Sequence, residues 1–138
     1  MESRAEKATE LHERGFNCAQ AVACAYADVV GVDERTIFRA CEGLGAGMGG
    51  MEGTCGALSG ACVLAGLAGS DGDVEHPASK GATYAVSRGL VSRFAAAAGA
   101  TRCRDLKGLD DGVVLMPCPA CVRLGADVFA EVMTELGR

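Results

Sequence analysis

The chain has 138 residues and a formal net charge of −5, and 49% of its residues are hydrophobic. This length indicates one domain with its own core, and the acidic balance argues against nucleic-acid binding. Only 4% of the residues are aromatic and tryptophan is absent. A core of alanine, valine, leucine, methionine and cysteine favours packed helices over a β-sandwich. No uninterrupted apolar run is long enough for membrane insertion.

The sequence predicts an all-α fold, a compact single-domain bundle of about five or six helices over residues 1–138. Strand signals are few, and no internal repeat is present. The predicted helices cover 2–14, 18 to about 30, a short helix ending at 41, 55 to about 68, about 78–98, and a last helix opened by Cys118, with one helical turn over 101–106.

Eight cysteines are the most informative feature of the composition. The charged segment from Met1 to Lys7 has no apolar stretch of the kind found in a secretion signal, which predicts a cytoplasmic protein with reduced thiols. In that setting, many cysteines suggest metal ligands or redox partners before a disulfide framework. The cysteines are Cys18, Cys24, Cys41, Cys55, Cys62, Cys103, Cys118 and Cys121.

Three of these cysteines are predicted to open helices. Asn17 is a good N-cap, which places Cys18 in the first turn of the second helix. Thr54 is expected to cap the helix that begins with Cys55, and Cys118 opens the last helix. Free backbone N–H groups and the positive end of the helix dipole favour a thiolate at such positions.

The segment from 42 to 53 contains six glycines among its twelve residues. It predicts a loop with positive φ angles or a close backbone approach, rather than a helix or a strand. Its G-x-G-x-x-G match lacks a preceding strand, so a dinucleotide site is not favoured. We expect a backbone wrap that directs amides toward a sulfur site, with a flexible surface loop as the plainer alternative. The amides concerned are those of Gly47, Gly49, Gly50 and Gly56.

The remaining candidates leave alternatives open. Cys118-Pro-Ala-Cys121 is a C-x-x-C that suits a dithiol redox pair, half of a metal site, or two buried structural thiols. Cys24 and Cys62 lie among small apolar residues and are predicted to pack in the core. Cys41 is ambiguous. Both histidines, at positions 12 and 76, are predicted to lie on the surface, because neither has a ligand partner at helical spacing.

In order and spacing, these motifs resemble the C_GCAxxG_C_C family of redox-active proteins, from about Ala5 to Leu136. The segments that carry the resemblance are Phe16-Asn17-Cys18-Ala19-Gln20-Ala21-Val22, Gly45-Ala46-Gly47-Met48-Gly49-Gly50, Cys55-Gly56-Ala57-Leu58-Ser59-Gly60-Ala61, Cys103-Arg104-Asp105-Leu106 and a last cysteine ahead of the C-terminal helix.

The resemblance implies a small bacterial or archaeal protein with four recurring cysteines that bind an iron–sulfur cluster. Transferred to this sequence, the four fall on Cys18, Cys55, Cys103 and Cys118. Cys121 is a departure from the pattern or an alternative fourth position, and Cys41 is a further candidate. We expect [2Fe–2S] in preference to [4Fe–4S]. No C-x-x-C-H is present, so covalent haem is not expected.

The predicted role is that of an electron carrier or redox sensor rather than a stand-alone catalyst, since no Ser-His-Asp or Cys-His arrangement is apparent. One alternative is a metal-free thiol–disulfide protein that uses Cys118 with Cys121, or Cys55 with a resolving partner. Another is a structural zinc interaction module with four thiolates. The sequence does not identify the redox partner protein, and its small-residue helix faces leave a homodimer open.

Overall fold

The computed structural model describes all 138 residues and confirms the all-α prediction, because it contains helices and turns but no strand. Three short helical segments raise the number of helices above the predicted five or six. The helices are α1 (Ala5–Glu13), α2 (Cys18–Ala25), α3 (Ala27–Val30), α4 (Glu34–Cys41), α5 (Gly45–Met48), α6 (Gly56–Gly69), α7 (Lys80–Ala98), α8 (Cys103–Lys107) and α9 (Cys118–Glu135). None of them combines the length and the apolar character that a membrane crossing requires.

Local capping explains where several helices begin. Asn17 forms a complete capping box with Gln20 at the start of α2, and the Asp33 side chain accepts the N–H of Thr36 at the start of α4. The prediction for α6 is wrong by one residue: Cys55 is the N-cap. Thr54 instead pairs with Arg102 in an isolated antiparallel bridge.

The core forms where α2, α6 and α9 pack on one another, with α1 against α2 and α9. Two glycines allow the close approach of these helices. A Cβ at Gly60 would lie 2.7 Å from the Ala19 carbonyl oxygen, and one at Gly125 would lie 2.6 Å from that of Ala57. Both distances are shorter than a carbon–oxygen contact allows, so the small residues of α6 and α9 bring the helix axes together.

Tyr26 divides the helix predicted over 18–30 into α2 and α3. Its ring is fully buried and packs edge-on against Phe129, with 4.8 Å between the ring centroids. Its hydroxyl donates to the Ala126 carbonyl oxygen at 2.7 Å and accepts the N–H of Arg4 at 3.0 Å. A buried phenol needs such partners. One side chain therefore connects the start of α1, the end of α2 and the middle of α9.

Candidate functional site

A cavity of about 200 Å³ lies at one end of the bundle, and five of the eight cysteines line it. They are Cys18, Cys55, Cys103, Cys118 and Cys121. The first four occupy the same local position: Cys18, Cys103 and Cys118 are the first residues of α2, α8 and α9, and Cys55 is the N-cap of α6. The beginnings of four helices thus present sulfur to one space. Free amides and helix dipoles stabilise negative charge there.

Main-chain hydrogen bonds hold two of these cysteines together. The N–H of Cys55 donates to the Thr101 carbonyl oxygen at 2.7 Å, and the N–H of Cys103 donates to the Gly53 carbonyl oxygen at 2.9 Å. They flank the bridge between Thr54 and Arg102. The two segments form a short antiparallel pair, although 48 positions separate the cysteines in the numbering.

The glycine-rich segment folds against this pair. Ala46, Gly47 and Met48 all have positive φ angles, so α5 is a left-handed turn that costs a non-glycine residue about 1–2 kcal/mol. A Cβ at Gly47 would lie 2.5 Å from the Cβ of Cys103. Only a glycine allows this approach of the loop to the cysteine, as the sequence indicated.

Of the four glycine amides predicted to face sulfur, only two belong to residues that line the cavity. Gly47 and Gly56 line the cavity, whereas Gly49 and Gly50 are exposed and do not. The amides that donate to the sulfur of Cys55 belong to Ala57 and Leu58. Helix α6 thus supplies the N–H donors expected from the loop.

Cys18 and Cys118 form one thiol pair. A hydrogen bond between their side chains lowers the pKa of Cys118, and the positive charge of Lys107, which also hydrogen-bonds to this sulfur, adds to the effect. The same thiol–thiol hydrogen bond raises the pKa of Cys18, and burial raises it further. Within this pair the pKa of Cys118 is lowered and that of Cys18 is raised.

Cys55 and Cys121 form a second thiol pair with the same asymmetry. A hydrogen bond from Cys121, followed by those from the amides of Ala57 and Leu58, lowers the pKa of Cys55. The hydrogen bond to Cys55 raises the pKa of Cys121. The sulfur of Cys121 also lies 3.7 Å from the Met116 carbonyl oxygen, a second acceptor within reach of the same thiol hydrogen. The second cysteine of the C-x-x-C is thus part of the site but pairs with a different helix from the first.

Cys103 has no such thiol partner. Burial raises its pKa, while the charge of Lys107 acts in the opposite direction. Burial disfavours the Lys107 ammonium, but the charges of Cys118 and Cys103 outweigh this and raise the pKa of Lys107. One cation therefore serves several sulfur atoms at once.

Two residues that the sequence did not assign to the site lie at the cavity. His12 was predicted to lie on the surface, but it is half-buried, and its Nε2 is 3.9 Å from the sulfur of Cys18. Because Gly15 breaks the helix between α1 and α2, helical spacing in the sequence does not reveal that His12 lies near Cys18. Lys107 follows Cys103 by four residues, which is the spacing of neighbours on one helix face, and that signal was available.

The other three cysteines lie outside the cavity. Cys24 is 1% exposed, as predicted, and its thiol donates to the Glu34 carbonyl oxygen at 3.7 Å. Cys41, the ambiguous candidate, is fully buried in the core. Cys62 is half-buried on α6 beside Ser87. Burial is the leading cause of the raised pKa of all three thiols.

The five cavity cysteines do not form a compact single-ion site. No three histidine, cysteine, aspartate or glutamate side chains lie close enough together to hold one metal ion. A tetrahedral zinc site with Zn–S bonds of about 2.3 Å requires sulfur atoms only about 3.8 Å apart. The thiols instead form two pairs and a single cysteine around a wider space.

The profile of one protein family matches residues 16–132, a span that includes all five cavity cysteines. Its description reads "Putative redox-active protein (C_GCAxxG_C_C)". The chain belongs to this family. Membership in the C_GCAxxG_C_C family confirms the resemblance drawn from the motifs. Among curated proteins and solved structures, no significant match is found.

Proposed function

We propose that the cavity holds an iron–sulfur cluster through Cys18, Cys55, Cys103 and Cys118, and that the protein is an electron carrier or redox sensor. The observation that carries this proposal is the convergence of four helix beginnings, each with a cysteine, on one cavity. Iron–sulfur clusters are held by four thiolates in most proteins. When bound, such a cluster supplies one-electron transfer.

The donor set fits a cluster on electrostatic grounds. Several thiolates in one cavity repel one another unless positive charge or hydrogen-bond donors compensate. Lys107 supplies a cation to Cys118, and the amides of Ala57 and Leu58 donate to Cys55. Hydrogen bonds to the sulfur ligands also raise the reduction potential of iron–sulfur sites. These residues both stabilise the ligands and tune the site.

Five cysteines around one cavity, more than the four that a single zinc ion takes, favour a cluster over zinc. A zinc ion draws four sulfur atoms to one point, whereas a cluster distributes its ligands over several iron atoms. The cavity of about 200 Å³ between two thiol pairs and Cys103 suits the second arrangement. We retain [2Fe–2S] as the preferred form. Cys121, as the thiol neighbour of Cys55, is the alternative fourth ligand.

The test is an absorption spectrum, with iron, sulfide and zinc analysis, of protein purified without oxygen. We expect charge-transfer bands and matched iron and sulfide contents. Cys103→Ser should abolish both, while Cys62→Ser, which changes a half-buried cysteine outside the cavity, should leave them unchanged. Serine at Cys118 or Cys121 separately identifies the fourth ligand.

Two outcomes contradict the proposal. Colourless protein that contains zinc indicates a structural site. Colourless, metal-free protein that takes up no iron during anaerobic reconstitution with iron and sulfide rules the cluster out.

A further inference from the structure

Two phenylalanines and three arginines form an exposed patch where α4 packs beside the turn that leads into α2. The rings of Phe16 and Phe38 meet edge-on, with 5.0 Å between their centroids, and both are half-buried. The exposed Arg14 guanidinium lies over the Phe16 ring, 5.6 Å from its centroid. Arg35 and Arg39, one helical turn apart and also exposed, line a groove with the two rings. We call these five residues the arginine patch.

The three arginines of this patch have no acidic partner within the chain. Arg4 and Arg93 form ion pairs with carboxylates, whereas no carboxylate oxygen lies within 4.0 Å of a patch guanidinium. Glu34 is the single acidic residue along the groove. Because the whole chain has a formal charge of −5, the patch is a positive area on an acidic protein. Its guanidinium groups are free to bind carboxylates of another molecule, which arginine can do through two hydrogen bonds at once.

The patch adjoins the cysteine cavity. Phe16 precedes Cys18 by two residues, so their Cα atoms are at most about 7.6 Å apart. Asn17 lies between them and lines the cavity. The Gln20 side chain donates to the Phe38 carbonyl oxygen at 3.0 Å, which ties the first turn of α2 to α4. The start of α2 therefore connects the patch with the cavity. Since the rate of electron transfer falls steeply with distance, a carrier bound at the patch would have a short path to a group held by Cys18.

We propose that the arginine patch docks an acidic electron-carrier protein, which exchanges single electrons with the site in the cavity. This inference rests on the proposed function, because it names the class of partner that the site would serve. Arginines around an apolar centre are typical of protein interfaces. Elsewhere the acidic chain repels an acidic carrier, so the patch both attracts the carrier and orients it. In the transfer, the carrier loses one electron and the group held in the cavity gains it, and no covalent bond forms or breaks.

The experiment uses the full chain as purified without oxygen and, as the acidic carrier, a plant-type [2Fe–2S] ferredoxin. Isothermal titration calorimetry with the oxidised ferredoxin measures binding, which does not require a cluster in the chain. We expect a one-to-one complex that weakens as NaCl rises from about 0.01 M to 0.15 M, because the Debye length falls from about 30 Å to about 8 Å. Stopped-flow mixing with the reduced ferredoxin then measures electron transfer to the chain.

Paired arginine variants separate the patch from the overall charge. Arg35→Gln combined with Arg39→Gln should raise Kd about tenfold and slow electron transfer at low ferredoxin concentration by a similar factor. Arg88→Gln combined with Arg138→Gln is the matched control. It removes the same charge from two exposed arginines outside the patch that also lack a carboxylate within 4.0 Å. The control should change both values by less than about twofold. Circular dichroism checks that each variant is folded.

Three results overturn the proposal. They are no binding at low salt, equal weakening in the patch and control variants, or a concentration-dependent dimer that only the patch variant abolishes in sedimentation. The dimer would assign the patch to a second copy of the chain. A colourless chain that still binds ferredoxin through the patch contradicts the cluster and supports the docking surface. A chain that holds a cluster but binds ferredoxin equally well in all variants contradicts the docking surface alone.

Discussion

The cysteines of this chain fall into two groups that differ in their surroundings. Five line the cavity, where each contacts a thiol, an amide or a loop glycine. Three lie in helices elsewhere, where they fill space or donate to a backbone carbonyl. A thiol in the second group behaves as a small hydrophobe.

The difference between the groups comes from position along the helix. Four of the five cavity cysteines stand at helix beginnings, where N–H groups have no intrahelical acceptor. Cys24 and Cys62 lie inside helices, and Cys41 is the last residue of one. The dipole stabilises an anion in the first turn of a helix. Among the four cysteines at helix beginnings, however, only Cys55 and Cys118 have a lowered pKa, so the neighbouring groups matter as well as the position.

The largest effect should come from Gly47→Ala. The alanine would have to adopt a positive φ, and its Cβ would overlap the Cβ of Cys103. We therefore expect a loss of about 2–4 kcal/mol in the free energy of unfolding. Gly49→Ala is the control, because its φ is also positive but its Cβ meets nothing within 4 Å. It should cost about 1 kcal/mol. Equal losses in urea unfolding would show that contact with Cys103 is unimportant.

The second prediction concerns alkylation against pH in metal-free protein. Because the pKa of Cys118 is lowered, its thiolate persists below the ordinary thiol value of about 8.5 and is lost only as pH falls through the lowered value. Cys118 should thus react with iodoacetamide at neutral pH. Burial raises the pKa of Cys24 to about 12, so that thiol should stay unreactive until the protein unfolds. Equal rates at neutral pH would be evidence against the distinction between the two groups.

Lys107→Gln should have a smaller effect. Without the ammonium, the Cys118 thiolate loses the second interaction that lowers its pKa but keeps the hydrogen bond from Cys18. The pH at which alkylation of Cys118 is half-maximal should rise, while remaining below that of an ordinary thiol. Lys80→Gln, at the exposed start of α7, is the control and should not move it. If the pH dependence of Cys118 alkylation is unchanged in both variants, Lys107 does not act on the Cys118 thiol.

The smallest effect should come from Arg104→Gln. Arg104 donates to Glu52 and to both oxygens of Asp110, all at the surface. Exposed ion pairs contribute little, so the free energy of unfolding should stay within measurement error of the unchanged protein. Arg4→Gln should lose more, because Arg4 also donates to the Ala25 carbonyl oxygen and lies over the ring of Tyr26. A larger loss for Arg104→Gln than for Arg4→Gln would mean that the surface ion pairs of Arg104 stabilise the site.

Local chemistry made much of the fold predictable from the sequence. Asn17 caps α2 as expected, Asp33 is a typical capping residue at the start of α4, and Gly99 ends α7 in a left-handed conformation. The sequence does not mark the inner face of α7: Tyr84 and Val91 are large and hydrophobic, yet they are 58% and 41% exposed. Apolar residues occur on all sides of α7, so helical periodicity marks no single face as the inner one.

The sequence also indicated which cysteines gather, but not how they pair. The family resemblance implied that Cys18, Cys55, Cys103 and Cys118 belong together, and all four line one cavity along with Cys121. Which of them contact one another depends on how α2, α6 and α9 cross. Those crossings are set by glycines such as Gly60 and Gly125, whose close contacts lie far along the chain. Local patterns carry no information of that kind.

The antiparallel pairing of the segments that carry Cys55 and Cys103 makes this side of the cavity more rigid than the other sides. Main-chain hydrogen bonds of 2.7 and 2.9 Å fix the distance between these segments. Cys18 and Cys118 instead begin α2 and α9, and no main-chain hydrogen bond joins these two residues to another segment. We expect a bound group of different size to be accommodated by tilting α2 or α9. With 18 residues, α9 is about 27 Å long, so it would convert a small displacement at Cys118 into a displacement of Glu135 at the opposite end of the molecule.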